Sequence, residues 1–223
     1  MDSSRPATRV RTARILTSDG PVSYVVADEP ATVVWLANLA ALELHVPQWR
    51  VDEDGVPQLP DLLVLDLDPG PGTGVAECAA LALRLRERLV DDGLDPVVKT
   101  SGSKGLQVYA PIRCSDPDQP SQYAKTLAQA LTEETPDEVV WRMEKVLRPG
   151  KVLVDWSQNN TAKTTVAPYS LRARAGATVS MPVTWEELDD AASLVFDTAA
   201  VLDRVEQLGD LFDVGDRHRA DLP

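Results

Sequence analysis

Residues 62–67, LLVLDL, limit this chain more than any other stretch. Four apolar residues run into an acid, with Pro60 before them and Pro69-Gly70-Pro71-Gly72 after. The run is too short for a helix and is punctuated on both sides, which predicts a buried central strand ending in a turn. Side chains alternate faces along a strand, so Asp66 and Asp68 share one. Two carboxylates side by side repel, and ionising both against apolar surroundings is costly. A divalent cation resolves that conflict. The competing reading is two solvated acids at a strand end. The preceding LLVL argues against it by carrying both acids to the rim of the core.

The remaining punctuation predicts a mixture of elements. Residues 22–27 (VSYVVA) read as a strand. Asp28 and Pro30 then open a helix over 31–44 that is apolar on most sides, hence expected to be buried, and that ends at His45. Apolar positions Val75, Cys78, Ala82, Leu85 and Leu89 mark an amphipathic helix over 75–90, closed by Gly93. Strands are expected over 97–100 and 106–112, and a helix over 121–131. The box Thr135-Pro136-Asp137-Glu138 predicts a helix running to Leu147. Strands are expected over 152–156 and 164–173. The box Thr184-Trp185-Glu186-Glu187 opens a short helix, and Asp197 caps a last one ending near Leu208-Gly209. The first fourteen residues carry Arg5, Arg9, Arg11 and Arg14 and read as an edge segment or a phosphate-touching arm. Strands and helices mix without strict alternation, which favours an α+β fold over a doubly wound sheet. At 223 residues the chain suits one domain spanning 1–223.

Three further features carry chemistry. Asp155 ends the apolar run VLVD, and beside the first strand it would complete a three-carboxylate cage able to hold two metals. The loop Ser101-Gly102-Ser103-Lys104-Gly105 has glycines that let the backbone approach an anion, plus hydroxyl donors and a charge; the alternative is a plain hairpin turn. It lacks the Walker spacing of a P-loop. Arg172 and Arg174, two apart on an expected strand, would share a face and clamp a triphosphate; the alternative is a pair of surface arginines. His45, at a helix end, is more often structural than catalytic on its own. With two histidines and two cysteines in the chain, any metal is held mainly by oxygen, which favours magnesium, manganese or calcium. A net charge of −13 argues against a broad grip on nucleic acid but leaves room for a local basic channel with salt-sensitive binding. No apolar run reaches the ~18 residues of a membrane span, and no signal-like stretch opens the chain. The expectation is a cytoplasmic protein with no membrane partner.

The runs LLVLDLDPGPG, KTSGSKGLQVYAP, GKVLVDWSQNN and KTTVAPYSLRAR, in that order over roughly residues 20–190, resemble the polymerase domain of bacterial DNA ligase D, in the archaeo-eukaryotic primase superfamily. The resemblance implies a primase-polymerase core of largely antiparallel sheets packed with helices. It implies polymerisation at a two-metal site of manganese or magnesium held by Asp66, Asp68 and Asp155. Ser101, Lys104, Arg172 and Arg174 would contact the incoming nucleoside triphosphate, with Ser103 in the same loop and His45 alongside. The family prefers ribonucleotides and fills short gaps in DNA during end joining. Two departures stand out. The family usually has a phosphate-touching histidine where this chain has Gln107, which donates a hydrogen bond but carries no charge. It also has an additional N-terminal segment that helps bind template and the downstream 5′-phosphate. With no ligase or nuclease sequence after the domain, the expected partners are a separate ligase and an end-binding protein.

Two alternatives remain open on the residues. A haloacid-dehalogenase-like phosphatase would use Asp66 as nucleophile and Asp68 as general acid/base; Asp68 is however followed by Pro-Gly, not Gly-Thr, and VDWSQN and the arginine pair are left without a role. A non-catalytic module descended from a polymerase is the other, motivated by Gln107 and the shortened N-terminus.

Overall fold

The computed structural model describes residues 10–17, 20–215 and 217–223, so Arg5 and Arg9 of the expected arm lie outside it. In chain order the elements are β1 (Thr12–Thr17), β2 (Gly20–Val25), α1 (Pro30–Asn38), β3 (His45–Val46), β4 (Leu62–Pro69), α2 (Val75–Asp91), β5 (Val97–Thr100) and β6 (Leu106–Arg113). Then follow α3 (Gln119–Glu134), β7 (Val139–Val140), β8 (Val152–Asp155), β9 (Thr165–Val166), β10 (Pro182–Val183), α4 (Thr198–Leu208) and β11 (Ala220–Asp221).

Seven strands form one mixed sheet in the order β10-β5-β6-β4-β8-β7, with β11 alongside β6. β4 lies at its centre, antiparallel to both β6 and β8. Parity decides what each β4 side chain meets. Leu63, Leu65 and Leu67 are fully buried in the main core with α2 and α3, each burial worth about 1.5–3 kcal/mol. Val64 enters a smaller cluster with Val97, Tyr109 and Val214 on the other face. Asp66 and Asp68 continue that second face beyond the apolar patch. α2 keeps its place because Cys78, Leu81, Ala82, Leu85 and Leu89 form one buried stripe. Its start is held by the Glu77 carboxylate accepting from the Gly74 N–H at 2.7 Å. The fold is α+β with largely antiparallel pairing, as the sequence predicts. Two small two-stranded sheets, β1-β2 and β3-β9, stand apart from the main one.

Several local expectations are overturned. The helix expected over 31–44 is α1; it starts after Glu29, not Asp28, and stops at Leu39. The Asp28 carboxylate is taken by Arg11 at 2.6 Å and so is lost as a cap. Nor is α1 buried: Val33 is 45% and Val34 70% exposed, and only Thr32 is enclosed. Apolar composition supplied no face that either core cluster accepts. The box at Thr135 closes one turn, with the Glu138 and Val139 amides donating to Thr135 O at 3.0 Å, and goes no further. Val139 and Val140 instead join the sheet edge parallel to β8, and the helix expected to Leu147 survives as a 3-10 turn, Lys145–Leu147. Burial of two β-branched residues against a preformed strand outweighs a local capping signal. The strand expected over 164–173 shrinks to β9, and beyond it Tyr169 adopts a left-handed backbone with φ 61°, which no continuing strand allows. The helix at 184 is a kinked 3-10 stretch, although Glu187 does accept from the Thr184 N–H at 2.8 Å. Asp197 caps α4 as expected, accepting from the Ala200 amide at 2.9 Å.

Candidate active site

Strand register brings together what the sequence keeps apart. Asp66 of β4 stands directly opposite Asp155 of β8 on one side and Gln107 of β6 on the other. Gln107 in turn stands opposite Lys99 of β5. Lys99, Gln107, Asp66 and Asp155 thus form one row across four neighbouring strands. Asp68 lies two residues further along β4, on the same face. Asp66, Asp68 and Asp155 each offer a carboxylate oxygen, all within 4.8 Å of one another.

This crowding has an electrostatic cost. Burial, and then the Asp68 charge, push the Asp66 carboxyl up to about 7, against the hydrogen bond from Gln107. Burial and the charge of Asp155 raise Asp68 as well, while Arg148 opposes the shift. Asp155, 8% exposed, is held from its own strand end: Ser157 N–H and Oγ donate to Oδ1 at 3.0 and 2.5 Å, and Gln158 Nε2 donates to Oδ2 at 2.8 Å. Three converging carboxylates, with Asp66 and Asp68 both raised by burial and a neighbouring charge, suit a hard divalent cation.

Facing the acids is the 101–105 loop. The Ser101 hydroxyl oxygen accepts from the amides of Ser103 at 3.3 Å and Gly105 at 3.1 Å. The expected amide cradle is therefore partly spent on the loop itself, leaving the Ser101 O–H, Ser103 and the exposed Lys104 for a ligand. Gly102 adopts φ +66°, and a Cβ there would sit 2.6 Å from Arg172 Cγ. Gly105 runs so close to β4 that a Cβ would lie 2.1 Å from Leu67 O.

The far wall is built by β3 and β9, whose pairing sets His45 opposite Val166. His45 is exposed, not enclosed as its helix-end reading suggested. Glu43, which sequence reasoning passed over, joins three parts of this wall. Its carboxylate accepts from His45 Nε2 at 3.0 Å and the Ala173 amide at 2.8 Å, and lies 3.6 Å from Arg172 Nη1. The Ala173 amide, followed by His45, holds the Glu43 carboxyl below its usual range. Arg172 and Arg174 are not on a regular strand: a tight turn joins them, with Arg174 N donating to Arg172 O at 2.8 Å. Both nonetheless reach the same space.

All the candidate residues except Asp155 line one cavity of about 470 Å³, and the Asp155 carboxylate lies within 4.8 Å of the two acids that do. Its lining carries Lys104, Arg148, Arg172 and Arg174 against Asp66 and Asp68, a locally basic site in a chain of net charge −13. The Nε atoms of Arg148 and Arg172 are buried and find no acceptor among the described residues, which suits an anionic ligand. Arg148 and Gln158 also escaped the sequence reading. Gln158 lies in the WSQNN run, but nothing local in RPGK marks Arg148.

Comparison with known proteins shows the family to which this fold belongs. The LigD primase-polymerase domain family matches residues 2–212. The multifunctional non-homologous end joining DNA repair protein LigD of Mycobacterium tuberculosis is 44% identical over 222 residues, which is 95% of this chain and 28% of that protein. The bifunctional LigD of Bacillus subtilis is 29% identical over 196 residues, 86% of this chain and 31% of its own length. The chain thus spans under a third of these relatives. The polymerase domain of M. tuberculosis ligase D, solved in complex with DNA, superposes with a TM-score of 0.89 at 40% identity, covering 98% of this chain and 78% of that one. On its motifs, its sheet and its match across nearly the whole length, the chain belongs to the LigD primase-polymerase domain family.

Proposed function

We propose that this chain is a nucleotidyltransferase that extends a DNA primer from nucleoside triphosphates, in short-gap filling or end joining, with residues 1–223 acting as one catalytic unit. The observation that carries the reading is a carboxylate triad facing four cationic side chains across a cavity of about 470 Å³. The primer 3′-hydroxyl attacks the α-phosphate, a new P–O bond forms, the bond to the β-phosphate breaks, and pyrophosphate leaves. Asp66, Asp68 and Asp155 would hold two divalent cations, manganese or magnesium, which supply activation of the hydroxyl and neutralisation of the phosphates. Ser157 and Gln158 hold Asp155 in one orientation. Lys104, Arg172 and Arg174 offset the triphosphate charge, with the Ser101 and Ser103 hydroxyls, Gln107 and His45 as hydrogen-bonding groups. Positioning and electrostatics do the work, without a covalent intermediate. The phosphatase alternative leaves Asp155 and both arginines without a task, although they stand around the same cavity.

The deciding experiment is primer extension on short-gapped DNA with manganese and ribonucleotides, with the Asp66→Ala/Asp68→Ala variant as control. Extension by the wild type alone is expected. A wild type that binds nucleotide without extending any primer would favour the non-catalytic reading instead.

Metal binding carries its own pH dependence. Asp66 must ionise to serve as a ligand, and its carboxyl is pushed up to about 7. Manganese affinity is therefore expected to rise about tenfold per pH unit below that value and to level off above it, for one proton released. Calorimetric titration across the range reads this directly; a flat profile would remove Asp66 from the ligand set.

A further inference from the structure

The row of functional groups across the sheet does not stop at Gln107. Its fourth member, Lys99, is 0% exposed and is the largest of the fully buried side chains. Burying an ammonium group is costly unless its donors are matched. Here they are matched selectively: Nζ donates to Gln107 Oε1 at 2.5 Å and to Ser180 Oγ at 2.6 Å. It also lies 5.6 Å from the centroid of the Tyr109 ring. Tyr109 O–H donates to the same Gln107 oxygen at 3.3 Å and is tied to Thr165 Oγ1 at 2.8 Å. Two donors therefore converge on the Gln107 carbonyl.

A primary amide carries its acceptor on one branch and its donors on the other. With the oxygen held by Lys99 and Tyr109, the NH2 branch is left for Asp66, directly opposite on β4, and for the cavity that both residues line. Without Lys99, rotation of the amide would present its carbonyl to the carboxylates.

We infer that Lys99 is a positioning residue that fixes the polarity of Gln107, so that Gln107 offers donors to Asp66 and to a nucleotide phosphate. The inference rests on the nucleotide-binding reading of the cavity. It also bears on the histidine that the resemblance to ligase D polymerase domains implies at this position. A neutral imidazole likewise accepts on one ring nitrogen and donates from the other. A protonated one would set an N–H against the ammonium group. The requirement imposed by Lys99 is an acceptor on its side and a donor on the other, and both side chains meet it.

The test is calorimetric binding of manganese–ATP to the whole chain, with thermal melts alongside. Lys99→Met is expected to lower affinity about tenfold, the scale of one hydrogen bond, without lowering the melting temperature, since a buried polar group that is costly to desolvate is also removed. Gln107→Ala should do the same, and the double variant should be no worse than either single one. Lys99→Gln, which keeps a donor, should stay within about threefold of wild type. Gln107→Glu, which keeps the bond to Lys99 but loses the donor, should fall at least as far as Gln107→Ala. Wild-type affinity in Lys99→Met, additive losses in the double variant, or a Lys99→Gln as weak as Lys99→Met would each overturn the inference. Should Lys99→Met fail to fold, the contrast between Lys99→Gln and Gln107→Glu decides the matter. A wild type that binds manganese–ATP but extends no primer removes the transfer reaction and leaves the positioning role standing. One that binds no manganese–ATP removes both.

Discussion

Asp66→Ala is expected to lower primer extension about a thousandfold or more, the largest effect of any single change considered. The estimate follows from the several kcal/mol of charge stabilisation that a metal site lends a transition state, at a factor of ten per about 1.4 kcal/mol. Asp66 is the central acid: it faces Asp155 across β8 and shares its face of β4 with Asp68. Its removal leaves two carboxylates, one of them already committed to Ser157 and Gln158. Stability should move the other way. The folded carboxyl titrates at about 7, above its ordinary 3.8. Folding therefore favours the protonated form, and Asp66's contribution is complete below pH ~4 and lost as pH rises through ~7. At pH 8 without metal, Asp66→Asn removes a half-buried anion crowded by Asp68 and Asp155 and should melt no lower than wild type. Added manganese should raise the melting temperature of wild type and leave that of the variant unchanged. An Asp66→Ala variant that keeps most of its activity would refute the assignment. A variant that loses activity only by unfolding would show up in the melts.

Gly105→Ala is the second large effect, and its origin is steric. A Cβ at this position would lie 2.1 Å from the Leu67 carbonyl oxygen, between the two candidate ligands of β4. Neither partner can yield by rotating a side chain, because the obstacle is backbone in the middle of the sheet. The loop must lift or β4 must shift, at about 1–3 kcal/mol by analogy with overpacked cores. Either movement separates Ser101, Ser103 and Lys104 from the carboxylates. Nucleotide affinity should fall by about tenfold or more, with a melting temperature lowered by several degrees. Gly93→Ala is the control. Gly93 has φ +80° with nothing within 4 Å of an added Cβ, so strain alone applies, about 1 kcal/mol with nucleotide binding intact. Equal binding losses in the two variants would show that the close approach at Gly105 is incidental.

How far the sequence could be read depended on the range over which each signal acts. Asp66 and Asp68 were legible because alternation along a strand is local, and four apolar residues before them announced which face was covered. α2 was legible from its buried stripe, and the strands on either side of the 101–105 loop from their turn residues. Errors arose where a local signal met a tertiary competitor. The capping box at Thr135 lost to an open sheet edge that took Val139 and Val140. The apolar run 31–44 looked internal, yet α1 presents Val33 and Val34 to the outside. Arg172 and Arg174 converge as expected, but through a turn and not by strand alternation.

What the sequence determined by itself was the chemistry available: paired acids ending an apolar strand, a third acid ending another, a glycine-rich loop with a lysine, and two close arginines. Only the tertiary structure decided their neighbours. Asp66 meets Asp155, 89 residues away in sequence, because β4 and β8 pair in one antiparallel register. A slip of one residue would turn every β8 side chain to the opposite face. The same rule placed Lys99 in the row. On its sequence it reads as one lysine among others; the pairing of β5 with β6 sets it, buried, opposite Gln107, and the pairing of β6 with β4 sets that glutamine opposite Asp66.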